Sequence, residues 1–381
     1  MQLKSKLYYT ILIILLIAAT ELVLRAGEKV RKSFFKNEQA EQTYHPCEKE
    51  LIELHKERKK NIILFNNYVW ISPELYLFEG DKYYKPRPES TIALIMNERI
   101  EHMSMLVNDD NKRFLDEFVG MKYLKNYDEA GFRKTGNDAL NGRSEDFIIL
   151  MLGDSFTEGC YVNDTDTFSA CIERLGLKDN LNIRVLNAGV SGYSTREEYY
   201  RFVDLAPLLD IDMVLLNYFP NDFDIVEHKV VGYWTARDPS SKIGKWFFKH
   251  FILAKVIMKA YYRYFPSPAD PEKNTDIQKG WKDSLGYLKG INEICKNKGI
   301  VFVIAALPPK EQFNFKEKRY YQDKLKIFCK AENIVFLDPY DYLEGFSLDE
   351  IYLDWDPHFT KKGQREYGRF LYTKLKERIV L

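Results

Sequence analysis

Four places in the sequence carry side chains that could perform acyl transfer together. Three apolar runs end in the short segments Gly153-Asp154-Ser155, Asn187-Ala188-Gly189 and Pro220-Asn221-Asp222, and a fourth segment, Asp354-Trp355-Asp356-Pro357-His358, precedes the last helical pattern. A serine needs a base to become a nucleophile, a histidine needs a carboxylate to fix its tautomer, and a developing oxyanion needs preorganised donors. The four segments supply all three kinds of group, so the sequence indicates a serine-dependent site.

Each of these groups also has a purely structural interpretation. Taken alone, Ser155 is most simply the N-cap of a following helix. Gly189 could serve only to permit a positive φ in a tight turn. Asn221 and Asp222 could form an Asx-turn that ends a strand. The occurrence of matching groups at all four positions favours the catalytic interpretation.

Metal, cofactor and nucleic-acid sites are not indicated. Asp354, Asp356 and His358 alternate as metal ligands can, but no second histidine cluster completes such a site. The five cysteines are scattered without a C-x-x-C pair, which fits neither a zinc site nor a disulfide framework. The 56 basic residues balance 56 acidic ones, so there is no electrostatic footprint for nucleic acid.

The elements that must position these groups are legible from about residue 146 onward. Apolar runs separated by helical patterns, FIILMLGD, IRVLNAG, DMVLLNYF, IVFVIAAL and IVFLDP, are typical of buried parallel strands. A helical stripe follows at Tyr199, Phe202 and Val203, and another at Tyr367, Leu371 and Leu375. The pattern predicts a three-layer α/β/α sandwich with a parallel sheet, in which ligands bind beyond the carboxyl ends of the strands.

With these motifs in this order, the sequence resembles the SGNH, or GDSL-type, hydrolase family. The stretches YDEAGFR, GDSFTEG with YVNDTDTF, and NAGVSGYST resemble its membrane-anchored bacterial members in particular. The resemblance covers residues from about 146 to the C-terminus and implies a flavodoxin-like sheet. It also implies Ser155 as nucleophile, His358 as general base, and an oxyanion hole made by the N–H groups of Ser155 and Gly189 and the side-chain amide of Asn221.

Two positions depart from the family pattern. The third block usually reads G-x-N-D, but Phe219 stands where the glycine would be, which predicts a narrower pocket beside Asn221. The last block is often D-x-x-H, but Trp355 lies three residues before His358. Many relatives use D-x-H, so we expect Asp356 to orient the histidine, with Asp354 in reserve.

The chain divides into three predicted parts. Residues 1–26 form a membrane anchor or signal-anchor, 27–143 a polar stalk and packing arm without obvious alternation of strands and helices, and 144–381 the hydrolase domain. An insertion at about 223–279 contains the aromatic and basic run WFFKHFILAKVIMKAYYRYF. This run could be a lid, the wall of an acyl pocket, a membrane-surface helix or a helix packed on the sheet edge.

The N-terminal segment predicts an uncleaved transmembrane helix. Between Lys6 and Arg25 lie 18 residues whose only charge is Glu21, which as a helix would just cross a hydrocarbon core about 30 Å thick. A cleaved signal peptide and a buried core helix are the alternatives. The basic residues after the segment outnumber those before it, which favours a cytoplasmic domain, whereas the family comparison favours an extracytoplasmic one.

Together these features predict a membrane-anchored serine esterase. The expected substrates are small acyl esters, foremost O-acetyl groups on a cell-surface glycan, which is the enzyme's expected partner besides the membrane. Three alternatives stay open: an O-acyltransferase with the same triad, a lipid-ester hydrolase, and a non-catalytic membrane-tethered glycan-binding or assembly protein.

Overall fold

The computed structural model describes residues 19–23, 25–26, 75–97, 103–137, 146–226, 229–230, 275–315 and 319–379. Residues 19–26 belong to a separate compact unit, in which the Arg25 guanidinium donates to Glu21 Oε1 at 2.8 Å. Within the described ranges, no helix has the length and apolar character needed to cross a bilayer. Most of the predicted anchor, residues 27–74 of the predicted stalk and arm, and most of the 223–279 insertion lie outside the described residues.

A five-stranded parallel sheet forms the centre of the larger unit, as the apolar runs predicted. Its strands are β6 (Phe147–Gly153), β7 (Ile183–Asn187), β8 (Met213–Tyr218), β11 (Val301–Ala306) and β12 (Val335–Leu337). They lie in the spatial order β12-β11-β8-β6-β7. Numbered along the chain, this is the order 2-1-3-4-5 of flavodoxin-like sheets, in which the crevice for ligands opens where the strand order reverses, between β6 and β8.

Helices cover both faces of this sheet, because successive strand residues point to opposite sides and both sides are apolar. Ile149 and Met151 belong to one core cluster with residues of α3 (Phe168–Lys178) and α11 (Lys361–Ile379). Leu150 and Leu152, on the other side, are equally buried. Their side of the sheet faces α4 (Thr195–Leu205) and α6 (Thr275–Lys298). The three-layer prediction is therefore confirmed for the described residues.

The helix starts are specified locally. The Thr167 hydroxyl accepts the Ala170 N–H at the start of α3. At the start of α4, Ser194 and Glu197 form a reciprocal capping box. Both devices satisfy backbone N–H groups that have no acceptor inside the helix. The remaining helices are α1 (Asp109–Glu117), α2 (Ser155–Glu158), α5 (Asn221–Asp224), α7 (Lys310–Phe315), α8 (Tyr320–Glu332), α9 (Tyr340–Leu343) and α10 (Leu348–Ile351).

Residues 75–137, which we call the arm, contain strands that the sequence pattern did not predict. The strands β1 (Tyr76–Glu79) and β2 (Tyr83–Pro86) form a hairpin, and β3 (Thr91–Met96), β4 (Met103–Leu106) and β5 (Met121–Asn126) form a three-stranded antiparallel sheet. Ala93 and Ile95 of β3 pack against α1, whereas Leu94 clusters with Cys160 and Tyr161, which follow α2 in the chain. The arm therefore packs directly against the segment that follows α2. Two short strands, β9 (Ile225–Val226) and β10 (Lys229–Val230), form a separate antiparallel pair.

The outer edge of β7 is covered by side-chain and backbone groups from elsewhere in the unit. Glu173 Oε1 accepts the Val185 N–H at 2.8 Å, and Asn187 O accepts the Arg133 N–H at 2.9 Å. Asn137 Nδ2 donates to the second oxygen of Glu173 at 2.8 Å and holds that carboxylate in place.

Candidate active site

Ser155 lies at the turn from β6 into the short helix α2. Gly153 ends the strand at φ +150°, and a Cβ there would lie 2.0 Å from Thr157 Oγ1, so this turn needs glycine. The Asp154 carboxylate caps α2 by accepting the Phe156 N–H at 2.9 Å. Because Ser155 is the first residue of α2, its own N–H has no acceptor within the helix and is available to donate to a ligand.

The structure brings Ser155, His358 and Asp356 together from distant parts of the chain. His358 Nε2 lies 2.6 Å from Ser155 Oγ. The other ring nitrogen, Nδ1, is hydrogen-bonded to Asp356 Oδ1, which also accepts the His358 backbone N–H at 2.9 Å. A carboxylate on Nδ1 places the ring proton there, so Nε2 is left to accept the serine proton.

Asp356 is held as a carboxylate. Burial alone would raise its pKa, but the hydrogen bonds from the His358 ring and backbone and from the Tyr161 hydroxyl, with the charge of the histidine, bring the pKa of Asp356 below its ordinary value. Asp354, the reserve from the sequence, is exposed at the surface, and no contact with His358 is seen among the described residues. Asp356 is therefore the carboxylate that the structure places against the histidine.

Asn221 lies next to the nucleophile turn, at the start of α5. Its Nδ2 donates to Asp154 Oδ2 at 2.8 Å, and a carboxylate acceptor fixes which way the amide points. The second N–H of the same amide is left to donate to a ligand. Burial raises the pKa of Asp154, while the Phe156 N–H, the charge of His358 and the Asn221 amide oppose that rise.

Gly189 does not present a free donor in this structure. Its N–H donates to Asn187 Oδ1 at 3.0 Å. A Cβ at Gly189 would lie 2.5 Å from Glu158 N, so this glycine is required for close packing against α2. The sequence-based placement of the Gly189 N–H in the oxyanion hole is corrected for this physical reason. Gly192, three residues later, is exposed at φ +83°, and no hydrogen bond from its N–H is seen among the described residues.

Aromatic side chains surround His358. The Phe156 ring stacks on the His358 ring with centroids 4.6 Å apart, and Phe219 packs on the other side of Phe156 at 4.5 Å. Tyr161 meets His358 edge to face at 5.5 Å and Trp355 at 4.9 Å. Phe219 therefore packs on the same ring that stacks on His358.

Sequence reasoning missed Glu158, which connects α2 to the arm. This fully buried carboxylate lies 3.0 Å from the Lys125 ammonium of β5 and accepts hydrogen bonds from the Tyr127 and Ser191 hydroxyls. Burial would raise the pKa of Glu158, but Lys125, these hydroxyls and Arg133 bring it below its ordinary value. Glu158 belongs to the motif GDSFTEG and Tyr127 to the motif YDEAGFR, both of which were visible in the sequence. Nothing in the spacing of the two motifs indicated that these side chains are in contact.

Asp222, which follows Asn221 in the chain, and Glu198 form a pair of neighbouring buried acids. Asp222 Oδ2 accepts the Phe219 N–H at 2.8 Å, while Asp222 Oδ1 and both carboxyl oxygens of Glu198 have no hydrogen-bond partner among the described residues. Burial, followed by the negative charge of Asp222 on Glu198 and of Asp154 on both acids, raises the pKa values of Glu198 and Asp222 well above their ordinary range. We expect both acids to take up protons more readily than in water.

Comparisons with known proteins give distant similarity only. No family model and no curated protein matches this chain. Solved structures match part of it: the psychrotrophic esterase EstA from Pseudoalteromonas sp. is 14% identical over 62% of this chain and 100% of its own, with a TM-score of 0.39. The lipase/acylhydrolase from Enterococcus faecalis is 15% identical over 61% of this chain and 96% of its own, with a TM-score of 0.38. The acetyl xylan esterase AlAXEase is 11% identical over 60% and 99%, with a TM-score of 0.39. Identities and TM-scores this low do not assign a reaction to this chain.

Proposed function

We propose that the chain is a serine ester hydrolase of the SGNH type. The observation that carries the proposal is the continuous contact from Ser155 Oγ through the His358 ring to Asp356, formed at the carboxyl end of β6. A histidine whose second nitrogen is held by a partly buried carboxylate is the arrangement that turns a serine into a nucleophile. The Asp154-held amide of Asn221 beside the same turn adds an oxyanion donor.

The reaction follows from these positions. His358 Nε2 takes the Ser155 proton as Oγ bonds to the carbonyl carbon of the ester, and the carbonyl oxygen becomes an oxyanion. The Ser155 N–H and the Asn221 amide donate to that oxygen, and the exposed Gly192 N–H is the better third donor because the Gly189 N–H is already bonded. The carbon–oxygen bond to the alcohol then breaks, and the departing oxygen takes the proton from His358.

Deacylation repeats these steps with water. His358 removes a proton from a water molecule, whose oxygen attacks the seryl ester, and the bond to Ser155 Oγ breaks as Oγ regains the proton. Asp356 holds the ring and stabilises its positive charge in both halves of the reaction. No step requires a group beyond the chain's own side chains and water.

The substrate class and location form the second part of the proposal. We propose small acyl esters, foremost O-acetyl esters of a cell-surface glycan, and a single-pass membrane protein with its catalytic domain outside the cytoplasm. The apolar segment between Lys6 and Arg25 and the motifs shared with membrane-anchored members of the family support this part. A C-terminal fusion to a reporter that is active only outside the cytoplasm tests the location, and an inactive but expressed fusion would refute it.

A fluorophosphonate probe tests the chemistry directly. The purified full-length protein should be labelled at Ser155, and the Ser155→Ala and His358→Ala proteins should not. Circular dichroism spectra that superimpose on that of the parent show that the variants are folded. A folded parent protein that is not labelled and does not hydrolyse p-nitrophenyl acetate would refute the proposed function and favour a binding role.

A further inference from the structure

Tyr161 has a backbone conformation that its side chain does not favour. It lies in the left-handed region at φ +59°, three residues after the end of α2, and it is buried. A bulky residue in this region is uncommon and is maintained only where its surroundings compensate for the strain. The contacts of the Tyr161 side chain, both of its hydroxyl and of its ring, provide this compensation.

The hydroxyl of Tyr161 reaches the carboxylate of the triad. It donates to Asp356 Oδ2 at 3.2 Å. The other oxygen, Asp356 Oδ1, is hydrogen-bonded to the Nδ1 atom and the backbone N–H of His358. Burial, with the negative charge and the hydrogen bond of Asp356, keeps the pKa of Tyr161 far above its ordinary value, so the hydroxyl retains the proton that it donates. Both oxygens of Asp356 are thereby fixed by donors.

The ring of Tyr161 is held in turn by the arm. It meets the Tyr123 ring of β5 edge to face at 6.0 Å and clusters with Leu94 of β3. On its other sides it contacts His358 and Trp355. A single side chain therefore links the arm to the acid and to the base of the triad.

We propose that Tyr161 is a positioning residue for the catalytic histidine: its hydroxyl fixes the Asp356 carboxylate in the plane that His358 needs and moderates its negative charge. This inference rests on the proposed function for its catalytic meaning. The contact itself is measurable whether or not the protein hydrolyses esters.

The consequence for proton binding has a definite sign. A hydroxyl that donates to a carboxylate withdraws part of its negative charge, so the carboxylate stabilises a positively charged imidazole less. Removing the hydroxyl of Tyr161 should therefore let His358 take up its proton at a higher pH. Among the described residues, two other groups act electrostatically on this pair: Asp154, which precedes Ser155, acts on His358, and the buried Cys160 thiol lies near Asp356. The Cys160 thiol in turn contacts Glu158, the partner of Lys125. The loop that carries His358 also contains Asp354, and the Lys310 ammonium donates to its Leu353 carbonyl. The Tyr161→Phe substitution leaves all of these groups in place.

The experiment compares Tyr161→Phe with the matched control Tyr123→Phe in the full-length protein. Phenylalanine keeps the ring packing in both variants. Only Tyr161→Phe removes a hydroxyl that contacts Asp356, because the Tyr123 hydroxyl contacts Met121 Sδ instead. We measure the pH titration of the His358 ring by NMR, with His358→Gln to assign its signals, and the pH profile of kcat/KM for p-nitrophenyl acetate.

In Tyr161→Phe, the midpoint of the His358 titration and the acidic limb of kcat/KM should both move to higher pH, by on the order of half a pH unit, and kcat should fall on the order of tenfold with KM nearly unchanged. Tyr123→Phe should match the parent. Titration and kinetics of Tyr161→Phe identical to those of the parent would overturn the positioning role while the proposed function stands. If the parent is inactive, a shifted ring titration still supports the contact and an unshifted one overturns it, so the two failures are distinguishable.

Discussion

The buried ion pair between Lys125 and Glu158 should contribute strongly to stability, and replacing Lys125 by Met tests this. The lysine and glutamate side chains are 6% and 0% exposed, so the substitution leaves the buried Glu158 carboxylate without its ion-pair partner. Removing one partner of a buried pair costs about 3–5 kcal/mol. Because Glu158 keeps the donors Tyr127 and Ser191, we expect the lower end, about 3 kcal/mol, which corresponds to a fall in Tm of roughly 6–12 °C.

The pH dependence gives the prediction its sign. In the parent, the lowered pKa of Glu158 contributes stability above the pKa of the unfolded chain, and this contribution is lost as the pH falls through the folded pKa. Without Lys125, the main cause of the lowering is gone and the pKa of Glu158 in the folded variant rises. The folded variant then binds a proton more readily, so the stability gap to the parent should narrow as the pH falls from 7 towards about 4.

Urea unfolding of the parent and variants at several pH values measures the effect. The double variant Lys125→Met with Glu158→Gln removes the uncompensated charge and should recover most of the loss. Lys134→Met, which removes an exposed lysine from the same arm, should change the free energy of unfolding by less than about 0.5 kcal/mol. A Lys125→Met protein as stable as the parent at pH 7, or a double variant no better than the single one, would refute the reasoning.

Three further substitutions probe the Asn221 side of the site. Asn221→Ala removes an oxyanion donor and should lower kcat for activated acetate esters on the order of a hundredfold with little change in KM; unchanged steady-state rates would contradict that role. Glu198→Gln removes a group whose pKa is raised by burial and by the charge of Asp222. A raised folded pKa adds stability at low pH that is lost as the pH rises, so the parent should lose stability relative to Glu198→Gln as the pH rises from about 4 towards neutrality, and an unchanged difference between the two across this range would contradict this. Phe219→Gly removes the ring that packs on Phe156 and should raise kcat/KM for butyrate relative to acetate esters roughly tenfold; an unchanged ratio would show that this ring does not limit acyl length.

The central sheet could be predicted from sequence, and the candidate reacting groups could be located, because each depends on a local pattern. Apolar runs such as 149–152 are buried on both faces and leave no polar alternation, which is typical of a parallel strand between two helix layers. The residues directly after such strands meet at one edge of the sheet. The structure accordingly brings Ser155, Asn221 and His358 to one place, although 203 residues separate the serine from the histidine.

The arm was not predicted because its strands depend on partners far away in sequence. Residues 92–96 of β3 are buried on both faces, one against α1 and the other against the hydrolase domain, so they show no alternation. The strands β1, β2 and β4 have only four residues each, too few for a periodic signal. Their burial arises from packing that no local window contains.

The role of Gly189 could not be read from sequence for a different reason. A glycine after a strand is compatible with a free N–H and with close packing, and only the position of Asn187 decides between them. Tyr161 was missed because its partner Asp356 lies 195 residues away. Single residues that act through a hydroxyl leave no periodic trace in the sequence.

The covered edge of β7 also bears on how copies of this chain behave at high concentration. A sheet that ends in an open strand offers outward N–H and C=O groups to any extended chain, and this is a common route to aggregation. Here the Val185 N–H is occupied by Glu173 and the Asn187 carbonyl by the backbone of Arg133. An incoming strand would have to displace a buried carboxylate and a backbone bond before it could pair at these two positions. The arm, which also contacts Glu158 at the end of α2, thus acts together with Glu173 of α3 to protect this edge of the sheet against strand addition.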